Sequence, residues 1–358
     1  MKSIYAAALA ASLGMPAFAQ SSVTLYGTVD AGIVARGHGD GLVAGPGKKY
    51  EVANGMGAGG SRFGFKGAED LGGGLAAFYE IEWGFASDTG NGDKDIASGA
   101  LQARHVYVGL AGGWGTALVG RVDGARATVT KEFDPFQGAG VANYGTNALG
   151  ISRANNALAY ISPTWNGISV LAAYTNGAVG DELPGNIGDT RIYALIPAFT
   201  IGPFTIKYDH EELWVAKTGT PRLKVDVLAA SYDFGVAKLF GIVDRVKNET
   251  VAAGPLDDLQ GYLLGVTAPV FSSGLVKASW VRRDRKNLND KCDQLGVGYQ
   301  HNLSKRTYLY ADYAQISNKD QGTCQIGLRN EDGAVDFGTG AAGGYGTRGI
   351  DLGIVHKF

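Results

Sequence analysis

Long apolar runs are scarce in this sequence. Beyond residue 20 none approaches the roughly eighteen residues that a membrane-spanning helix needs, which excludes a bundle of transmembrane helices. Charge is scarce too, at 18% of the residues against about 25% in an ordinary globular chain. The formal net charge is only −2 and no basic run stands out, so no nucleic-acid surface is expected. Histidines are few, and His105, His210, His301 and His356 are scattered, with no Ser/His/Asp spacing among them. Only two cysteines occur, Cys292 and Cys324, and no histidine clusters near them, so a zinc site is not expected. Gly57-Ala58-Gly59-Gly60 opens no helix after a strand, which removes the case for a phosphate-binding loop. Neither a metal nor a cofactor is expected. What is plentiful is glycine, at 56 residues, and tyrosine, at 17.

The first residues read as an export signal. Lys2 supplies a positive start, Ile4 to Leu13 an alanine-rich apolar run, and Ala17-Phe18-Ala19 a cleavage motif before Gln20. Residues 1–19 are therefore expected to be removed, and residues 20–358 to form one exported domain. In an exported chain the two cysteines are expected to pair as a disulfide, with two free thiols as the alternative.

The remainder repeats one unit: about ten residues of period-two alternation, closed by a turn. Val23, Leu25, Gly27, Val29 and Ala31 fall on one face, and Thr24, Tyr26, Thr28 and Asp30 on the other. Sixteen such segments lie near 22–36, 60–69, 74–85, 100–111, 116–123, 153–163, 167–176, 189–200, 203–214, 222–234, 236–249, 258–270, 274–286, 292–303, 306–318 and 345–358. Their connections alternate in length. Tight turns such as Gly72-Gly73-Gly74 and Gly112-Gly113-Trp114 exchange with long polar stretches at 37–59, 86–99, 124–152, 177–188, 215–221, 250–257, 287–291 and 319–344. Short turns on one rim and long loops on the other are the mark of a transmembrane β-barrel with its long loops outside. The fold class is thus all-β: a 16-stranded antiparallel barrel. Tyr79, Trp83, Tyr107, Tyr160, Tyr174, Trp280 and Tyr299 fall on the outward parity, where an interfacial girdle would lie. Ile350, Leu352, Ile354 and the terminal Phe358 share a face of the last strand, which is expected to close against the first.

Several motifs together resemble the general porins of β-proteobacteria, of the Neisseria and Burkholderia type. They are Gln20-Ser-Ser-Val-Thr-Leu-Tyr-Gly-Thr-Val-Asp30, Ser61-Arg-Phe-Gly-Phe-Lys-Gly67 with Glu69-Asp70-Leu71-Gly72, Tyr107-Val-Gly-Leu110 with Gly115 and Gly120-Arg121, Tyr299-Gln-His-Asn-Leu-Ser-Lys-Arg-Thr307, and Phe358. The resemblance implies a homotrimeric outer-membrane channel whose third long loop, 124–152, folds inward. Its surroundings would be outer-membrane lipid and lipopolysaccharide, and its cargo small ions and hydrophilic solutes. Lys131-Glu-Phe-Asp-Pro-Phe136 matches the family's third loop only loosely, and the cysteine pair is a departure.

A pore selects by its width and by the charges at its narrowest point. Inward parity places Arg62 and Lys66 on the second segment, Glu80 and Glu82 on the third, Arg104 on the fourth, Arg121 on the fifth and Arg153 at the start of the sixth. The third loop adds Arg126, Lys131, Glu132 and Asp134. The expectation is that Arg62, Arg104, Arg121 and Arg153 face Glu80, Glu82, Glu132 and Asp134 across the constriction, with Arg62, Arg104 and Arg153 matching the family's constriction arginines. Arginine stays charged at any physiological pH, and the family tends toward anions, so a modest anion preference is expected. Catalysis is not: Glu80 and Glu82 sit side by side on one strand instead of across a substrate. The alternative function is an adhesin or receptor barrel that meets a partner through its long loops, notably 37–59 and 319–344.

Overall fold

A computed structural model describes residues 22–38, 47–92, 103–147, 152–178, 191–214, 222–248, 258–327 and 345–358. The signal segment 1–19 and the greater part of the loops at 177–188, 215–221, 250–257 and 319–344 lie outside the described residues, as do 93–102 and 148–151.

The described residues form seventeen strands: β1 Ser22–Gly37, β2 Lys48–Asn54, β3 Ser61–Gly72, β4 Leu75–Phe85, β5 Ala103–Gly112, β6 Gly115–Asp123, β7 Arg153–Ile161, β8 Ile168–Asn176, β9 Arg191–Ile201, β10 Phe204–Trp214, β11 Arg222–Asp233, β12 Lys238–Asn248, β13 Leu259–Val270, β14 Gly274–Arg285, β15 Asp290–Asn302, β16 Thr307–Asp320 and β17 Arg348–Lys357. One helix, α1 Ala125–Glu132, lies between β6 and β7. All the strands belong to one antiparallel sheet, and β17 pairs with β1 from Thr28↔Lys357 to Gly37↔Arg348, so the sheet closes. At the seam Phe358 and Gly27 exchange two backbone hydrogen bonds of 3.1 Å. Gly27 is required there, because a Cβ would lie 2.3 Å from the Phe358 ring.

Seventeen strands make sixteen staves, because β2 and β3 share one. The outer half of β1 pairs with β2, from Ala31↔Asn54 to Gly37↔Lys48, and its inner half with β3, from Ser22↔Ala68 to Thr28↔Arg62. Between the two pieces, residues 55–60 step inward, turned by Gly55, Gly59 and Gly60, all at positive φ. The Gly57 and Ala58 amides donate to the Asp30 carboxylate at 2.9 and 2.6 Å, and Met56 is buried. The 37–59 stretch, read from the sequence as a long surface loop, is therefore half wall and inward lobe. Its polar, glycine-rich composition hid β2 because only one face of that strand, with Tyr50 and Val52, carries apolar side chains outward.

The alternation has its physical counterpart on β1. Val23, Leu25, Val29 and Ile33 are 40–65% exposed, while Thr28, Asp30, Val34 and Arg36 are at most 4% exposed. Such an apolar belt around a closed sheet suits hydrocarbon, and closure leaves no unpaired edge in it.

The third loop folds into the barrel. Val129 of α1 and Phe133 just after it, with Tyr144, pack on Val227, Ile242, Leu259, Leu263 and Val281 of the inner wall. Further along, Phe136, Val141 and Ala142 pack against Tyr310, Ala314 and Val355. Burying each large side chain of this set contributes roughly 1.5–3 kcal/mol, which holds the loop down. The wall makes room with glycine: a Cβ on Gly261 would lie 2.3 Å from the Tyr144 hydroxyl.

Candidate functional site

Two surfaces face each other inside the barrel. The loop covers the wall of β10 to β17, and a charged cluster occupies the wall of β3 to β7.

Glu82 of β4 is the centre of the cluster. It accepts from Arg104 Nε at 2.7 Å and from the Tyr26 hydroxyl at 3.1 Å, and lies 3.3 Å from Arg62 Nε. Glu80, two residues earlier on the same face, accepts from the Tyr107 hydroxyl at 2.9 Å and lies 2.8 Å from His105 Nδ1. The other His105 nitrogen is 3.0 Å from Asp123, which also meets Arg153 at 3.7 Å. Lys66 stands over the Tyr26 ring at 5.3 Å. Arg62, Arg104 and Arg153 are thus brought together with Glu80 and Glu82, and the cluster adds Tyr26, His105, Tyr107 and Asp123.

Alternation along β5 is broken to achieve this. Glu82 pairs with His105 but Trp83 pairs with Ala103, so a bulge at Arg104 turns two successive side chains inward. Beyond the bulge Val106, Val108 and Leu110 face out, and Tyr107 faces the lumen. This corrects the outward assignment of Tyr107, which assumed unbroken parity. A second bulge, between Gly120 and Val122, precedes Asp123.

Arg121 does not join the cluster. It pairs across the sheet with the exposed Val106, and its guanidinium meets the Ala103 carbonyl at 2.7 Å and the Asn155 side chain. The loop carboxylates are also placed differently from the expectation. Glu132 ends α1 on its β10 side and takes Lys207 at 2.6 Å. Asp134 is 1% exposed and accepts from the amides of Phe136, Gly138 and Tyr144 at 2.9–3.0 Å, so it closes the loop's own turns. Burial pushes its carboxyl up to about 6, against the pull of those three amides. Arg126 is paired with Asp244, and the Tyr144 hydroxyl donates to Asp244 at 2.9 Å, which anchors both ends of the loop on β12. Lys131 of the loop acts electrostatically on Asp123 in the cluster. Linear spacing could not foresee these turns, because helix α1 gives successive loop residues different directions.

At the extracellular end, Cys292 of β15 and Cys324 are joined as a disulfide, with their Cα atoms 6.3 Å apart.

A closed barrel with an apolar belt, an inward loop and a charged lumen wall narrows the comparison to channel proteins. A family model described as Gram-negative porin matches residues 6–321. The chain belongs to the Gram-negative porin family. Outer membrane porin protein 32 of Delftia acidovorans is 33% identical over 377 residues, covering all of this chain and 99% of the relative. The major outer membrane protein P.IB of Neisseria gonorrhoeae is 27% identical, over 86% of this chain and 90% of that one. Among solved structures, an anion-selective porin from Comamonas acidovorans superposes with a TM-score of 0.76 at 30% identity, covering 95% of this chain and all of that one. OmpT of Vibrio cholerae, at 13% identity and a TM-score of 0.68, shares the fold. This porin is a passive channel of the Gram-negative outer membrane.

Proposed function

We propose that this porin passes small hydrophilic solutes with a modest preference for anions, that Arg62, Arg104 and Arg153 set that preference, and that it assembles as a homotrimer. The observation that carries the reading is the inventory of charge on the open side of the lumen. Among the described residues of the cluster, five cations, Arg62, Arg104, Arg153, Lys66 and Lys131, stand against three carboxylates, Glu80, Glu82 and Asp123, a difference of +2 before His105 is counted. Glu132 and Asp134 are engaged elsewhere and do not offset it. Low-dielectric walls focus such an excess on a passing ion. The anion-selective relative from Comamonas acidovorans points in the same direction.

A passive role suits Glu80 and Glu82 better than acid-base chemistry. All four of their oxygens are engaged by Arg104, Arg62, Tyr26, His105 and Tyr107. The trimer draws support from the seam, where the outward face of β1, β2 and β17 stays apolar almost to the outer rim through Ile33, Val52 and Ile350.

Planar-bilayer recording tests the reading. Large ohmic openings in steps of three and an anion-directed zero-current potential across a KCl gradient are expected; cation selectivity would overturn the charge assignment. Analytical ultracentrifugation in mild detergent should give a trimer, and a monomer would count against it.

A further inference from the structure

Between β2 and β3 the wall gives way to the inward lobe 55–60, and one arginine of the charged cluster is seated on that lobe. Arg62 Nη1 donates to the Gly60 carbonyl at 2.9 Å and to the Ala58 carbonyl at 3.2 Å, while its Nε lies 3.3 Å from Glu82. Its side chain is 22% exposed, against 4% for Arg104 and 2% for Arg153. Of these three guanidinium groups, Arg62 is therefore the one most open to a passing ion. Two backbone carbonyls, and not the carboxylate alone, fix its direction. The lobe abuts Arg104 as well, since a Cβ on Gly60 would lie 3.5 Å from the Arg104 Nη1.

The lobe is pinned from behind. Asp30 is buried; one of its carboxylate oxygens accepts from the Gly57 and Ala58 amides at 2.9 and 2.6 Å, and the other from the Tyr310 hydroxyl at 3.0 Å. The Tyr308 hydroxyl donates to the Gly57 carbonyl at 2.9 Å. Where β3 begins, the Ser61 hydroxyl accepts from the Asp30 amide at 2.9 Å and donates to the Asp30 carbonyl at 3.1 Å. On its far side Met56 packs with Phe136, Val141 and Ala142 of the third loop. Ala58 thus joins two charges: its amide points at the Asp30 carboxylate and its carbonyl at the Arg62 guanidinium. Hydrogen bonds with an ionised partner are roughly twice as strong as neutral ones, so both ends of this relay are firm.

We propose, resting on the charge reading given above, that Asp30 is a positioning residue for ion selection: through the 55–60 lobe it holds the Arg62 guanidinium out over the path. Released from Ala58 and Gly60, that guanidinium keeps one anchor, Glu82, and folds against it, where the carboxylate offsets its charge. Loss of the Asp30 carboxylate therefore weakens the preference for anions, although it takes a negative charge out of the protein. Electrostatics alone would give the opposite sign, because removing an anion from the wall makes the lumen more positive. The sign of the change thus separates a positioning role from a simple charge effect.

The test is the zero-current potential of the full-length channel across a KCl gradient at or below about 0.1 M, where screening is weak. Arg62→Ser sets the scale, with an expected rise of about twofold in the cation-to-anion permeability ratio. Asp30→Asn keeps the shape, but its one carbonyl oxygen cannot serve both amides and the Tyr310 hydroxyl. It should move the potential in the same direction as Arg62→Ser. The double variant Asp30→Asn/Arg62→Ser should match Arg62→Ser alone, because no guanidinium is left to hold. Tyr308→Phe alters no charge and should give a smaller step of the same sign; it decides the matter if Asp30→Asn does not assemble. A shift toward anions in Asp30→Asn, shifts that add in the double variant, or a native potential in Tyr308→Phe would each overturn the proposal while the Arg62→Ser effect, and with it the charge reading, stands. No shift from Arg62→Ser would sink the charge reading itself, and the role of Asp30 with it.

Discussion

Arg104 donates its Nε–H to Glu82 at 2.7 Å from a position that strict alternation along β5 would turn to lipid. The bulge that brings it inward also leaves His105 facing inward, so the strand delivers two adjacent side chains to one carboxylate pair. Both Arg104 and Glu82 are at most 4% exposed. A charge left facing mid-bilayer costs roughly 2–4 kcal/mol, which is the force that favours the bulge.

Removing that guanidinium should shift selectivity. A unit charge acts on an ion 4 Å away with about 1 kcal/mol in water, and less when averaged over an open lumen. Arg104→Ser is expected to raise the cation-to-anion permeability ratio about twofold, and Arg153→Ser to do likewise, with the trimer intact. Zero-current potentials at or below about 0.1 M KCl, where screening is weak, give the measurement. No shift from either variant would mean that neither arginine lines the narrow part of the path.

The fold was legible because a barrel is written in two periodicities that need no tertiary knowledge: alternation within strands and alternation of connection length. Arg62, Glu80 and Glu82 were legible for the same reason, since parity in an unbroken strand fixes the face; Arg153 stands beyond a bulge at Asn155 and Asn156, at the very start of β7. Tyr107 was misread where the bulge at Arg104 resets the parity, and a bulge leaves no residue signature in a single sequence; Arg121 shares its face with the exposed Val119, so alternation along β6 itself turns it away from the cluster. Asp123 was passed over as a strand end, although its position beside the third loop marked it. Glu132 and Asp134 failed for a different reason: a folded loop has no period, so the direction of each side chain comes from contacts such as Lys207 and the Tyr144 amide, which only the fold supplies.

The disulfide should stiffen the outer rim without touching conduction. Cys292 and Cys324 close a segment of 32 residues, for which loop-closure entropy gives about 3–4 kcal/mol. Thiol titration of the unfolded, unreduced protein should find no free cysteine. Cys292→Ser/Cys324→Ser should be cleaved faster by protease near residue 324 at unchanged conductance. Equal cleavage rates would show that the bridge constrains nothing.

Asp134 makes the third loop's anchoring depend on pH. Its carboxyl titrates near 6 when folded, above the ordinary 3.8, so folding favours the protonated form. The contribution is fully present below about pH 4 and is lost as pH rises through about 6, amounting to roughly 3 kcal/mol for a shift of this size. Open-channel noise is therefore expected to rise between pH 4 and 7. Asp134→Asn, which cannot ionise, should show no such step, though its baseline noise should be higher because an amide cannot accept all three backbone bonds. A pH step that survives in Asp134→Asn would assign it to another group.

The sharpest test of the charged wall runs in the opposite direction to the arginine variants. Glu82 holds Arg104 at 2.7 Å and Arg62 at 3.3 Å, and the Tyr26 hydroxyl donates to it at 3.1 Å. Glu82→Gln keeps the shape and one acceptor but leaves both guanidinium groups without their shared counter-charge. The excess of positive charge over negative then grows by one, and anions should gain about twofold in relative permeability. The guanidinium groups will also move, because a buried pair that loses one partner loses its fixed geometry. Movement alone would change conductance without a consistent sign in the potential. The combined Glu82→Gln/Arg104→Ser variant separates the two effects, since it restores the native charge difference with neither native side chain present. A zero-current potential close to native in the double variant, between the two single variants, assigns selectivity to the net charge of this wall. A double variant as displaced as either single one would place the selecting charges elsewhere.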